Sequence, residues 1–474
     1  MNIFLIDEKK LSIEIKKNAF KYITTFIIVF FSCIIYLSLP SFYNYESFDK
    51  EIQNKISKDF KINIKKIKGI QYAFFPQPHF IIEQSSLYFN NNDEKPIADV
   101  KNLKVFLLLK NLNNLKKIEI KKIQLNKVNF NLNFEDIKNF HKHMNQNITK
   151  PIEIKNSNFF YKDIENNILS ISSSKKFNYF INTKERQKKL NVVGNIFGND
   201  YKFYWIRDYL NPNKTESYFK YKNPNIEINN TFNKNYENNE ITGITKLSFL
   251  NYNIFSKYLF DKNQIIFLDS DDNKNLNDKF IFLGNIKLNP FFFNLNLNLN
   301  NIKLTDFTNI FFLNLHRLNN SSHKNFNGNL SVRIDNLDSK MFEDFQMRVS
   351  SFEEKIYVNN TTIKVKNIGS LNFLKLYTYE KDDKLFLKSE IEFDIENEKE
   401  FYQKFQIPKK NRIKLKKLFL EFENNLDDKK YYVSNLYLNN ENFKEGSKYN
   451  IRQVNNYQQL ILIIRESFKS FKKD

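Results

Sequence analysis

Five histidines and one cysteine are all that this 474-residue chain offers for zinc or thiol chemistry. His141 and His143 stand two apart in a segment of helical spacing, so their side chains point in different directions. With no cysteine nearby and no HExxH pattern, they read as solvated surface histidines. His79, His316 and His323 stand alone. Asp269-Ser270-Asp271-Asp272-Asn273 opens like a calcium loop, but Lys274 replaces the required glycine and Phe280 falls where the bidentate glutamate belongs, which leaves a polar turn. GxSxG, P-loop and GxGxxG motifs are missing. With 8 glycines in all, phosphate-cradling loops have little to be built from. No catalytic residue, metal or cofactor is expected.

The chemistry that remains is that of apolar surface. In Phe291–Asn300 (FFFNLNLNLN), Phe293, Leu295, Leu297 and Leu299 face one way while Asn294, Asn296, Asn298 and Asn300 face the other. That is a strand with one apolar and one solvated side. The same period recurs in Ile62/Ile64, Ile118/Ile120, Ile123/Leu125 and Val128/Phe130/Leu132/Phe134. Downstream it returns in Leu330/Val332/Ile334, Ile356/Val358, Ile363/Val365, Leu385/Leu387, Ile391/Phe393/Ile395, Leu418/Leu420/Phe422 and Leu436/Leu438. Changes of parity mark bulges or strand ends, and Glu380–Lys384 and Asn424–Lys429 read as hairpin turns.

Ahead of these strands lies one uninterrupted apolar run, Tyr22 to Leu39, without a formal charge. Eighteen helical residues reach roughly 27 Å, enough to span a bilayer. Lys9, Lys10, Lys16, Lys17 and Lys21 precede it and Glu46 and Asp49 follow, which keeps the leader cytosolic and exports the body. The run exceeds the ~7–15 apolar residues of a signal peptide, and Leu37-Ser38-Leu39-Pro40 is a poor cleavage site, so a retained anchor is expected. The only cysteine, Cys33, is inside it, which excludes an intrachain disulfide.

The net charge of +21 invites a nucleic-acid reading. Lysines dispersed among Asp and Glu, and the absence of an Arg cluster, argue against it. The wealth of Asn, Lys, Ile and Phe is the bias of an AT-rich genome rather than a prion-like signal.

One helix precedes the strands, where it is expected to pack on the first of them, and two interrupt them. Phe48, Ile52, Ile56 and Phe60 share a face in 45–60, as do Phe134, Ile137, Phe140 and Met144, and Phe307, Ile310, Phe311 and Leu315. Tyr457–Lys473 adds a basic amphipathic helix whose Leu460, Ile461, Ile464 and Phe468 suit either a membrane surface or a cap on the last strand. The expected order is a leader (1–21), an anchor (22–39), a helix (45–60), a first module (61–145), a body (146–456) and a terminal helix (457–474).

So many one-sided strands with so few helices cannot all be covered in the ordinary way. An outer-membrane barrel needs no such anchor, and sandwich domains require boundaries that are not evident. The expected fold is mainly β, a long curved antiparallel sheet of some twenty to twenty-five strands. It forms an open hydrophobic groove (a β-taco) filled by lipid chains. The groove candidates are Val105, Leu107, Leu109, Phe130 and Leu132 in the module, and Phe293, Leu295, Leu297, Leu299, Ile391, Phe393, Leu418 and Leu420 in the body.

The stretch from Lys61 to Phe134 resembles the N-terminal part of the AsmA family, bacterial relatives of chorein-type bridge-like lipid transfer proteins. The shared features are Gly69-Ile70, then Phe75-Pro76-Gln77-Pro78-His79-Phe80-Ile81-Ile82, then Ile97-Ala98-Asp99-Val100. A Leu-rich run (Leu103, Val105, Leu107, Leu109, Leu112) and paired short strands (Ile118 to Val128) follow. Two departures are Asp59-Phe60-Lys61, where the family usually has a Gly, and Lys127, where it often has a Pro. The resemblance implies a single-pass inner-membrane protein of a diderm bacterium. Its β-groove would project into the periplasm and carry glycerophospholipids towards the outer membrane, with room for an outer-membrane or periplasmic protein at the far end. The alternative is a periplasmic scaffold or outer-membrane assembly factor that binds partner proteins without lipid flux.

Overall fold

The longest helix, α1, runs from Glu8 to Ser38 and continues through a 3-10 turn, Leu39–Phe42. Its stretch Phe20–Phe42, with mean hydropathy 2.2, is long and apolar enough to cross a membrane, and the most apolar part of it is not covered by the rest of the protein. Lys21 carries the one formal charge of that stretch, and the run that follows it is apolar on every side, which fits a membrane-spanning helix.

The structure, a computed structural model, describes 8–43, 48–89, 95–133, 148–163, 165–211, 213–222, 225–235, 240–249, 252–261, 263–269, 280–321, 326–353, 355–382, 384–428, 430–438, 452–454 and 457–470, together with Asp136 and Asn139. Most of the helix expected at Phe134–Asn145, with His141 and His143, lies outside the described residues, as do positions 270–279 of the calcium-like turn. Twenty-five described strands are joined in one mixed sheet, and the chain divides into two compact units.

The first unit comprises 1–131, 135–158 and 174–181. Helix α2 (Phe48–Phe60) buries Ile52, Ile56 and Phe60. Strands β1 (Asn63–Ala73), β2 (His79–Tyr88), β3 (Ala98–Val100), β4 (Leu103–Leu107), β5 (Ile120–Asn126), β6 (Asn129–Leu132) and β7 (Ile152–Lys162) follow. Cross-strand partners put Tyr72, Phe80, Val105, Ile123 and Ile152 in one row, and Ile70, Ile82, Leu103, Leu125 and Ile154 in the next. Apart from Ile70 and Tyr72 these side chains are buried, so this face is a closed core. Pro76 and Pro78, unable to donate to a ladder, sit in the turn between β1 and β2.

The second unit comprises 132–134, 159–173 and 182–474. After β8 (Ile168–Asn182) come β9 (Gln187–Ile196), β10 (Asn199–Asp208), β11 (Lys214–Tyr221), β12 (Ile226–Asn235), β13 (Glu240–Phe249), β14 (Tyr252–Asp261), β15 (Gln264–Asp269), β16 (Ile281–Leu288) and β17 (Phe291–Asn300). From β9 to β17 each strand pairs antiparallel with the next. Helix α3 (Leu304–Ser321) then crosses over to β18 (Asn327–Asp335), which pairs parallel with β17. Parallel neighbours need such a crossover. A second parallel junction joins β5 and β7, so the sheet is mixed rather than purely antiparallel. The meander resumes through β19 (Phe342–Phe352), β20 (Lys355–Val365), β21 (Gly369–Lys381), β22 (Lys384–Ile395), the short helix α4 (Glu398–Lys404), β23 (Lys417–Asn425), β24 (Lys430–Leu438) and β25 (Arg452–Val454). Helix α5 (Tyr457–Ser470) ends the described chain.

The sheet of this unit is curved. Eight inter-strand steps separate β10 from β18, roughly 38 Å if the sheet were flat. Yet Arg317 Nη1, at the end of α3, donates to Asn199 Oδ1 of β10 at 2.8 Å. Phe197, in the turn before β10, lies 6.0 Å from Phe326, just ahead of β18. The strands between must curl back to bring these ends together. Gly284 marks a tight point of that curl: its φ is +135, and a Cβ there would meet Asn294 O of β17 at 2.1 Å.

Burial in the curl gives an alkaline prediction. Tyr201, stacked 5.6 Å from Phe219, has its phenol pushed up to about 12, by burial first and by neighbouring Tyr161 second. Below about pH 10 the phenol is protonated in both folded and unfolded chains. Between about 10 and 12 only the unfolded chain ionises, so stability falls as pH rises through that window. The loss should reach roughly 2–3 kcal/mol. Urea unfolding from pH 9 to 12 measures it, and Tyr201→Phe should flatten the dependence.

Candidate functional site

Directly paired residues in a sheet share a face, and the second unit's register traces an apolar lane across its strands. Val192 of β9 is opposite Phe203 and this opposite Phe219; Phe219 is followed by Ile228, Leu247 and Ile254 on β12, β13 and β14. Four residues along β14, Tyr258 pairs with Phe267, then Gly284, Leu295, Leu330, Val349 and Val358 succeed one another from β16 to β20. Further along β20 the lane runs from Ile363 through Leu371 and Phe393 to Leu418, and Leu420, next on that face of β23, pairs with Leu436 of β24. Bulges in β19–β20 and β21–β22 reset the parity so that the apolar side stays on one face.

The opposite face is wet. Asn294 and Asn296 are exposed beside half-buried Phe293, Leu295 and Leu297. Lys375 pairs with Glu390 at 2.8 Å and Lys417 with Glu392 at 2.9 Å, cross-strand ion pairs suited to solvent.

Where helices approach the lane, a cavity of about 390 Å³ opens between them and the sheet. Leu304, Thr305, Thr308 and Phe312 of α3 border it, with Leu460 and Ile464 of α5, Phe405 at the end of α4 and Met341 just ahead of β19; β19 to β25 supply the remainder. Among the described residues, 25 line it; none of these is charged, and only Thr305, Thr308, Thr361 and Asn424 carry a nonaromatic polar group. The volume lies within the ~300–1,000 Å³ typical of small-molecule sites. A space walled in this way repels water and charge and accepts hydrocarbon.

The expected groove residues divide three ways. Ile391, Phe393, Leu418 and Leu420 line the cavity. Phe293, Leu295 and Leu297 lie half-buried on the apolar face, and Leu299 is buried under α3 with Phe307 and Phe312. Val105, Leu107, Phe130 and Leu132 are buried, and so offer no open surface for a lipid, whereas Leu109 is 60% exposed beyond the end of β4. In the first unit α2 packs against β1 and β5, as an amphipathic helix next to the first strands should.

Helix α5 requires a correction as well. Ile461, Ile464 and Phe468 are buried within the unit, packed with Phe401, Tyr402 and Leu418, and Leu460 is half-buried against them. Among the described side chains of α5, only Leu462, at 42%, presents a large apolar group to the outside. The face expected at a membrane covers the sheet, which offers the same apolar contact without leaving the protein.

The sequence reading missed the lane from β9 to β15. Its signal was present in Phe203, Phe219, Ile226/Ile228 and Tyr258/Phe260, but polar residues on the same face broke the period. Thr245 donates to Asn230, and Ser256 to Leu268 O at 2.9 Å, so these groups are satisfied inside the curl.

With this geometry in place, comparison with known proteins adds one relationship. Residues 16–174 match the AsmA family. No curated protein matches the chain. The AsmA match takes in the candidate membrane span, α2, β1 to β7 and the start of β8. It also gives the departures from the family pattern a structural meaning. Lys61, following α2, has φ 55, a left-handed conformation that favours the family's glycine. Lys127 has φ 56, which a proline could not adopt. Among the described residues, no cluster of His, Cys, Asp and Glu could hold a metal ion.

Proposed function

We propose that this chain is a membrane-anchored, non-catalytic lipid carrier. In this reading α1 spans the inner membrane with its N-terminus in the cytosol, and the β-body lies in the periplasm. Acyl chains of glycerophospholipids move along the apolar face of the second unit towards the outer membrane. One observation carries the reading: an apolar lane crossing sixteen strands, β9 to β24, leads to a charge-free cavity. Each methylene withdrawn from water is worth about 0.8 kcal/mol, so a lipid leaves a bilayer only where hydrocarbon meets hydrocarbon all along the way. The headgroup stays wet at the edge, and no bond need be made or broken.

The test is occupancy of the cavity. Purified protein should carry phospholipid detectable by mass spectrometry at near one equivalent or more. Leu371→Trp with Leu420→Trp places two large rings in the cavity that both leucines border. Bound lipid should fall at least fivefold, while the melting temperature stays within a few degrees because the added volume fills a void. Wild-type protein that purifies free of lipid but with a protein bound would overturn the carrier in favour of a scaffold.

A further inference from the structure

The end of the first unit next to the anchor is tied to the anchor's last turns. Tyr36 of α1 donates through its hydroxyl to Leu109 O at 2.8 Å, Tyr72 of β1 donates to Leu37 O at 2.5 Å, and Tyr43 donates to Leu112 O. Helical side chains lean towards the N-terminus, here the bilayer interior, so Leu109 lies no further out than Tyr36 itself. Tyr36 belongs to the apolar stretch Phe20–Phe42, and six residues at about 1.5 Å place it roughly 9 Å inside the outer end of that stretch.

Three separate segments meet there, and each presents bare hydrocarbon. Phe42 is 83% exposed, Phe75 80%, Leu109 60% and Phe74 42%. Among the described side chains of this unit, the large apolar ones elsewhere outside α1 are largely covered, so the described exposure is concentrated at one end. Exposed Lys110, Lys116 and Lys117 stand beside the tips. Apolar tips with lysines around them are the composition of a surface seated at a lipid headgroup boundary. The tyrosine hydroxyls also supply partners to carbonyls that would lack water there.

We infer that this end of the first unit is inserted into the leaflet at which α1 emerges, with Phe42, Phe74, Phe75 and Leu109 below the headgroups. The occupant of the patch is thus the bilayer that α1 crosses. The inference rests on the membrane-anchor part of the proposed function and is independent of lipid transfer.

Cys33, the only cysteine, allows the test on the full chain. In a Cys33→Ser background reconstituted in phosphatidylethanolamine and phosphatidylglycerol vesicles, an environment-sensitive fluorophore is attached at Phe75→Cys, at Leu109→Cys, or at Lys95→Cys. Lys95 is exposed at the far end of β2, where Ile97 N donates to Leu87 O; nine residues of strand put it about 30 Å from the tips. Labels at 75 and 109 should be quenched at least twofold more by lipids carrying a nitroxide near the headgroup than the label at 95. They should also be several-fold less sensitive to aqueous iodide. Iodide quenching at 75 and 109 equal to that at 95, in protein that stays in the carbonate-washed pellet, would overturn the insertion while leaving the anchor intact. Loss of the chain from that pellet would overturn both. Bound lipid measured on the same preparation judges the carrier separately: protected labels without bound lipid would support insertion and count against the carrier alone.

Discussion

Deleting Tyr457–Asp474 is expected to abolish folded protein. Helix α5 buries Ile461, Ile463, Ile464 and Phe468, each with at most 7% of its surface exposed. The Phe468 ring lies 6.0 Å from that of Phe401, tilted, and 6.2 Å from that of Tyr402, edge to face. Burying an aliphatic or aromatic side chain is worth about 1.5–3 kcal/mol, so these four contribute roughly 6–12 kcal/mol. That matches the whole net stability of a typical domain, about 5–15 kcal/mol. Removal would also bare the side chains beneath, among them Leu418 and Phe405. The truncated chain should aggregate or be degraded, as judged by the yield of monodisperse protein after detergent extraction. Phe468→Ala alone should cost about 3–5 kcal/mol. Leu462→Asp, on the exposed side, should change stability by less than about 0.5 kcal/mol. A truncated chain that folds normally would show that α5 is an appendage and restore its membrane face as the better reading.

The same helix shows where sequence reading runs out. An amphipathic stripe declares that a face must be covered and is silent about the cover; lipid and a β-sheet satisfy it equally. Val105 and Leu107 illustrate the point from the sheet side, because their alternation is that of Leu295 and Leu297, yet the first pair is buried and the second only half-buried. The candidate membrane span was legible because a helix apolar on every side, from Tyr22 to Leu39, has no wet face to turn towards water and is suited to hydrocarbon all round. Helix α3 was legible too, from Phe307, Ile310, Phe311 and Leu315, and it runs only a few residues beyond the expected Leu318. Its consequence, a parallel junction between β17 and β18, was not, since strand direction leaves no mark on a period of two. Nor does a one-dimensional pattern reveal that the turn before β10 returns to β18, a contact made by curvature summed over eight strand pairings.

Introducing Leu295→Asp together with Leu297→Asp should leave a folded protein that has lost its lipid. The two leucines alternate with exposed Asn294 and Asn296, yet both remain half-buried on the apolar face, opposite Leu330 and Val332 of β18. A carboxylate there can reach water if the lane is open, so the cost should be about 1–3 kcal/mol, tolerable for a unit of this size. Acyl chains have no such escape, because a charge on their path must either be desolvated or hold them off. Bound phospholipid should therefore fall at least tenfold, with the circular dichroism spectrum unchanged. Two controls bracket this outcome. Leu299→Asp, two residues further along the strand, puts its charge among Phe307, Phe312 and Val332 at a site 2% exposed, and should unfold the unit. Asn294→Asp with Asn296→Asp, on the wet face, should alter neither stability nor lipid content. Unfolding of the Leu295/Leu297 variant to the same extent as Leu299→Asp would mean that this face is closed core along its whole length. A lipid would then have no path across it, and the lane would be structural.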